Sequence, residues 1–217
     1  MLGFNFNLNT SSPLHILCLG AHSDDIEIGC GGTILRLLEE YPDSSFTWIV
    51  FGSHDQRTEE AYNSANQFLL SVKEKEIVLK NFRDGFFPYR GEEIKDYFEE
   101  LKGKCSPDLI FTHSRQDLHQ DHRLICELTW NTFRDHLILE YEIPKYDGDL
   151  GSPNFFVKLD ARICNRKIEH LLKYFKSQEN RHWFAAETFL SMLRLRGIES
   201  KSPGKYAEAF YCRKLVL

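Results

Sequence analysis

Two short stretches of the chain carry side chains able to bind a metal or move a proton. The first is His22-Ser23-Asp24-Asp25, which leaves an apolar run and is followed by Gly29-Cys30-Gly31-Gly32-Thr33. An imidazole and a carboxylate at this spacing suit a divalent cation, and a second carboxylate beside them can handle protons. The second stretch, far along the chain, is His119-Gln120-Asp121-His122. Each has an ordinary reading when taken alone. Asp24 and Asp25 can simply cap the helix that follows, because carboxylates favour its positive end, and a His-x-x-His at a helix start need not bind anything.

The elements that must position these groups alternate. Residues 15–19 are a continuous apolar run, as expected of a buried parallel strand, and a helical pattern runs from Thr33 to about Tyr41, where Pro42 stops it. Strands are expected at 46–51, 76–79 and 109–112, with a helix rising from 61 to 69, one over 92–102 and one over 122–133. The last third reads as strands at 137–143 and 154–159, helices at 163–175 and 185–195, and a terminal strand at 207–215. This alternation predicts an α/β fold, a Rossmann-like three-layer sandwich around a mostly parallel sheet. In such sheets ligands sit beyond the carboxyl ends of the strands, at the switch point. With the strand order 3-2-1-4-5, the first and fourth strands are neighbours there, and the two histidine stretches meet in one crevice.

The two stretches, in this order and each after a strand, resemble the paired motifs of the zinc-dependent de-N-acetylases of the PIG-L/LmbE type. Weaker echoes fall at Arg57, Asp84-Gly85, Lys176-Ser177-Gln178 and Ala207-Glu208-Ala209-Phe210, so the resemblance spans nearly the whole chain. It implies a single deacetylase domain over residues 1–217. It further implies that His22, Asp25 and His122 bind the metal, zinc first and iron or cobalt as alternatives. Asp24 is then the general base acting on a zinc-bound water. His119 stabilises the oxyanion, preferably as imidazolium, or donates a proton, and Asp121 holds His119 by a hydrogen bond. Arg57, on the crevice side of the second strand, either clamps a substrate group or makes a salt bridge. The implied reaction releases acetate from an N-acetylated amino sugar or its conjugate. Two alternatives stand beside it: an amidase for a thiol or amino-acid conjugate, and a non-catalytic module that binds a sugar nucleotide. The resemblance also admits a homo-oligomer.

Two departures from the family pattern concern rigidity. Proline is common after the first histidine of each motif, and Ser23 and Gln120 stand there instead, which leaves every charge in place. Some relatives carry a tyrosine where this chain has Asp117. Asp117 and Glu27 read as supporting or surface groups, Asp84 as a turn residue with Gly85, and Glu208 as structural if it finds a partner. His54, His113, His136, His170 and His182 gain no role from their context. The loops 144–153 and 180–187 are candidate walls for a substrate.

Composition narrows the field. With 27 basic and 32 acidic residues the net charge is −5, and no basic block marks a nucleic-acid binder. No apolar run approaches the roughly 20 residues of a membrane helix, and the polar, Asn-rich residues 1–13 do not read as a signal peptide. The six cysteines form no C-x-x-C pair and mostly lie in apolar segments, which points to reduced thiols in the cytoplasm. A dinucleotide reading of the glycines fails. They follow the acidic turn and not the strand, Ile34 breaks the G-x-G-x-x-G register, and no acidic residue closes the second strand.

Overall fold

The computed structural model describes residues 13–216. Residues 1–12, which hold most of the Asn-rich stretch, and Leu217 lie outside the described residues. The described chain forms seven strands, β1 (His15–His22), β2 (Ser45–Gly52), β3 (Lys75–Leu79), β4 (Leu109–His113), β5 (Leu137–Tyr141), β6 (Phe155–Leu159) and β7 (Tyr206–Cys212). Six α-helices connect and cover them: α1 (Asp25–Glu40), α2 (Gln56–Phe68), α3 (Gly91–Lys104), α4 (Gln120–Thr132), α5 (Ala161–Tyr174) and α6 (Ala186–Glu199). The sheet order is β3-β2-β1-β4-β5-β7-β6, so the expected 3-2-1-4-5 arrangement is found, extended by two strands. β1 to β5 pair in parallel, whereas β7 runs antiparallel to both β5 and β6.

Alternation along the strands separates two apolar layers. Ile16 and Cys18 of β1 join Phe46, Trp48 and Val50 of β2 on one face, packed under α1, α2, α5 and α6. Leu17, Leu19 and Ala21 join Ile49 and Phe51 on the other, against Ile94 and Phe98 of α3 and Ile125 and Leu128 of α4. Both faces are covered, which is why the central strands read as unbroken apolar runs.

One boundary departs from expectation. α1 begins at Asp25, eight residues before the helical pattern becomes visible. The residues from Asp25 to Leu35 are all buried, so no polar face marks a period of 3.6, and three glycines lower the local propensity. Those glycines serve close approach. A Cβ on Gly29 would overlap the Tyr141 ring, and one on Gly32 would meet Leu159 Cδ1 at 2.5 Å and Glu208 Oε1 at 2.9 Å. Glu208, buried in β7, accepts from the backbone N–H groups of Gly32 and Thr33 and pairs with Lys167 of α5 at 2.6 Å. It is therefore a structural brace between α1, α5 and the sheet. Glu60 accepts from the N–H and hydroxyl of Ser177, tying α2 to the segment after α5.

Gly29→Ala is expected to cost about 1–3 kcal/mol by overpacking. Gly103→Ala, where a Cβ meets nothing within 4 Å in α3, should instead gain about 0.5–1 kcal/mol. Urea unfolding of both variants beside wild type checks the pair, and a Gly29→Ala chain as stable as wild type would refute the close approach.

Candidate active site

The site forms where β1 and β4 end. In register, Cys18 lies beside Phe111, so His22 and His113 close neighbouring strands on the same edge of the sheet. Asp24 occupies the N-cap position of α1, yet its carboxylate makes no capping hydrogen bond. Capping therefore does not explain it. Asp25 opens the helix and folds back, its Oδ2 accepting from the His22 backbone N–H at 2.6 Å. The 114–119 loop then delivers His119 and the first turn of α4, with Asp121 and His122 buried.

Three donor atoms converge. His22 Nδ1 lies 3.1 Å from His122 Nε2 and 3.4 Å from Asp25 Oδ2, and the last two are 3.5 Å apart. Ligands held at about 2.0–2.1 Å around a tetrahedral ion sit about 3.3–3.4 Å from one another. The three atoms thus have the spacing of one tetrahedral face, and two imidazoles with a carboxylate form a donor set that fits zinc.

The electrostatics match. Burial alone would lower the His22 imidazole, but hydrogen bonds to Asp121, Asp25 and Asp84 outweigh it and hold His22 well above its ordinary value. The geometry sets a donor at each ring nitrogen, Nδ1–H facing His122 Nε2 and Nε2–H facing Asp121 and Asp84. His122 is pushed down to about 4 by burial and by neighbouring His113, against the pull of Asp25 and Asp117, and stays neutral. Its Nδ1–H donates to Asp117 Oδ2 at 2.9 Å. Burial would raise Asp25, but the cluster of histidines around it holds it well below its ordinary value. Without a cation, one proton of His22 lies among the three donor atoms.

Asp121 differs from expectation. Its carboxylate does not hold His119; it accepts from the N–H groups of Gly85 (2.6 Å) and Phe87 (3.1 Å) and from His22 Nε2 at 3.2 Å. Only its backbone N–H reaches His119, whose Nδ1 accepts it at 3.3 Å. That bond leaves the His119 proton on Nε2. Burial and the His22 charge lower the His119 pKa, which works against the expected imidazolium. His119 stands edge-on to His22, ring centres 4.9 Å apart.

Arg57 extends over the site as a salt bridge, its Nη2 donating to Asp24 Oδ1 at 3.1 Å. The other Asp24 oxygen, Oδ2, is buried and has no partner among the described residues. Leaving such an oxygen unpaired costs about 1–3 kcal/mol, which implies that something else meets it. Burial raises the Asp24 carboxyl above its ordinary value, with Arg57 opposing the shift.

Three further residues stand here, of which the sequence marks only Asp84, as an echo of the family pattern and a turn. Asp84 is more than a turn residue: its Oδ1 lies 3.1 Å from His22 Nε2. His113 is fully buried, its Nε2 3.2 Å from Asp25 Oδ2 and its ring stacked on His122 at 3.9 Å. The one available signal was its place at the end of a central parallel strand. Lys145 of the 144–153 loop reaches Asp117 Oδ2 at 2.9 Å. Glu27 points away from this cluster. It is buried against Ser64, whose hydroxyl also lies 2.8 Å from His170 Nε2, and burial pushes Glu27 up to about 8.

Residues 17–133 match the family model described as PIG-L, GlcNAc-PI de-N-acetylase. A conserved protein of Thermus thermophilus shares the fold at 23% identity and a TM-score of 0.72, with 94% of this chain and 96% of that one covered. The N,N'-diacetylchitobiose deacetylase of Pyrococcus horikoshii does so at 24% and 0.68, covering 96% and 87%. GalB, the 4-carboxy-2-hydroxymuconate hydratase of Pseudomonas putida KT2440, does so at 15% and 0.67, covering 94% and 98%. The fold thus serves more than one reaction. Because the family match takes in over half the chain, including both histidine stretches and the helices that carry them, the chain belongs to the PIG-L de-N-acetylase family.

Proposed function

We propose that the protein is a zinc-dependent hydrolase that removes the acetyl group from an N-acetylated amino sugar or its conjugate. The observation that carries this reading is the tetrahedral spacing of His22 Nδ1, Asp25 Oδ2 and His122 Nε2, next to a general base with one free oxygen. The metal, when bound by these three residues, supplies Lewis acidity to the amide carbonyl and to the attacking water. Family membership supports amide hydrolysis over the hydration that the same fold performs elsewhere.

The chain's own groups divide the rest of the work. Asp24 Oδ2 takes the proton of the attacking water, while Arg57 holds the other oxygen and fixes the carboxylate's plane. The raised Asp24 pKa brings it nearer to that of the leaving amine, which suits it to hand the proton on. His119, protonated on Nε2, donates a hydrogen bond to the developing oxyanion as a neutral ring. Asp121 and Asp117 accept from His22 and His122 and fix the face that each ring presents. Six free cysteines and the absence, among the described residues, of a helix long and apolar enough to cross a membrane fit a cytoplasmic enzyme for a small molecule. Nothing in its net charge of −5 favours a nucleic acid.

Asp24→Ala is expected to lower kcat by about a hundredfold to ten-thousandfold while zinc content stays near one per chain. His22→Ala/His122→Ala should lose the metal as well. Acetate release from a panel of N-acetylated amino sugars, set against thiol and amino-acid conjugates, tests the substrate class. Ligand binding that survives chelation with no turnover would favour the non-catalytic alternative.

Two pH effects follow with defined signs. Asp24 must be ionised to accept a proton, so activity falls as pH drops through its pKa. Arg57→Ala removes the cation that opposes burial, lifts that pKa further, and moves the acid limb of kcat/KM to higher pH. A limb that stays put would remove Arg57 from this role. Metal uptake must also displace the His22 proton that lies among the donors, so metal affinity weakens as pH falls through the raised His22 pKa. Calorimetric titration with zinc in buffers of different ionisation enthalpy reads the released proton directly.

A further inference from the structure

Behind His122, on the side away from the crevice, a buried charge chain leads out of the site and into a different loop. His122 Nδ1–H donates to Asp117 Oδ2 at 2.9 Å, and the same oxygen receives Lys145 Nζ at 2.9 Å. Lys145 Nζ also reaches Asp149 Oδ2 at 2.5 Å and the Ile143 carbonyl at 3.5 Å. The three side chains are only 11%, 2% and 6% exposed for Lys145, Asp117 and Asp149, so water screens these contacts little. Asp149 Oδ2 in turn accepts from the Leu118 N–H at 2.7 Å, and Asp117 Oδ1 accepts from the His119 N–H at 2.8 Å. Lys145 therefore lies between two buried carboxylates, one fixing a histidine ring and the other fixing the loop that carries the second motif.

We infer that Lys145 is a positioning residue for the metal site, acting through Asp117 on His122. The inference rests on the reading of His122 as a metal ligand. Two carboxylates this close, without the ammonium between them, repel each other and lack a donor. If Asp117 turns, His122 loses the acceptor of its Nδ1–H directly; if the 144–153 loop lifts, Asp149 releases the Leu118 N–H and the segment that carries Asp117 loosens, so either way the His122 ring is held less firmly. Partners of metal-bound histidines typically cost 10–100-fold in affinity when removed. The far end of the loop is clamped independently. Gly151 N–H donates to Glu142 Oε1 at 3.1 Å, and Arg196 holds both Glu142 and the Gly151 carbonyl. Movement of the 144–153 loop thereby reaches the metal site through Lys145 on Asp117, and through Asp149 on the Leu118 N–H.

The test is cobalt(II) titration of the full chain after removal of metal with a chelator, followed by visible absorption and by competition with a chelator of known affinity. Lys145→Met should bind cobalt about tenfold or more weakly and change the intensity of the visible bands, which report coordination geometry. Lys145→Arg, which keeps the charge, should stay within about threefold of wild type. A purely structural lysine would lower the thermal midpoint of the metal-free chain and leave both the spectrum and the affinity at low temperature unmoved. Lys145→Gln is the milder substitution if Lys145→Met fails to fold, with the same loss expected. Wild-type affinity and spectrum in either folded variant would overturn the inference while leaving the hydrolase reading intact. Failure of the wild-type chain itself to take up cobalt would remove the metal reading and this inference together.

Discussion

The structure depends on balancing buried carboxylates with imidazoles and a few cations at the ends of β1 and β4. Asp24, Asp25, Asp117 and Asp121 are all nearly inaccessible to solvent, and each would be costly if left alone. Arg57 answers Asp24, Lys145 answers Asp117, and His22 is held between Asp25 on its Nδ1 side and Asp121 and Asp84 on its Nε2 side. The pull on His22 outweighs its burial and raises its pKa above the ordinary value. On the proposed reading, a divalent ion among His22, Asp25 and His122 would replace one proton by two charges in a region still rich in carboxylate. Metal binding would then complete a charge pattern that folding sets up, and would link folding stability to metal affinity through the same groups.

The fold holds that pattern by rigid elements behind and by loops in front. Behind, α1 sits so close to the sheet that Gly29 faces the Tyr141 ring, while the Tyr141 hydroxyl donates to the Leu19 carbonyl at 2.7 Å. The strand that ends in His22 and the helix that starts at Asp25 are thus fixed against the same side chain. In front, the 81–90 loop is anchored by its own N–H groups on Asp121, and the 144–153 loop by Lys145 and Asp149. A motion of either loop alters a carboxylate that is hydrogen-bonded to His22 or His122. Such coupling favours a site that is tight when the loops are seated and loose when they are not.

Much of this was legible in the sequence, and the reasons are physical. Buried parallel strands announce themselves as short apolar runs, so their places are legible; the order β3-β2-β1-β4-β5 comes from the doubly wound topology, and the meeting of the two histidine stretches depends on it. The start of α1 is not legible, because a helix buried on every side from Asp25 has no polar stripe to betray its period. Sequence alone pairs Asp121 with His119 wrongly, because neighbours in sequence look like neighbours in space. The first turn of α4 instead aims that carboxylate at Gly85, Phe87 and His22. Lys145 lies in a loop without periodicity and its partner Asp117 stands far away along the chain, while Asp84 is marked with Gly85 only as a family echo and a turn, with no sign that it reaches His22. Nothing local distinguishes such residues from solvated charges. His113 is the intermediate case: its strand-end position was a signal, but an isolated histidine in an apolar run reads equally well as core.

Gln120 shows what the family's usual proline gives up and what replaces it. A proline at the first helical position stiffens the turn and lacks only a donor that the helix does not need. Gln120 forgoes that stiffness, but its Nε2 donates to the Gly85 carbonyl at 3.2 Å, while Asp121 beside it accepts from the Gly85 N–H. Two consecutive residues of α4 thereby hold both polar groups of one residue in the 81–90 loop. Gly85 has a φ of 80°, a conformation in which a side chain would be strained, so this grip also fixes the sharp bend that turns Asp84 towards His22. Proline would have rigidified its own turn only. The glutamine ties the turn bearing His119 and His122 to the loop across the crevice, exchanging local stiffness for a cross-link that spans the mouth of the site.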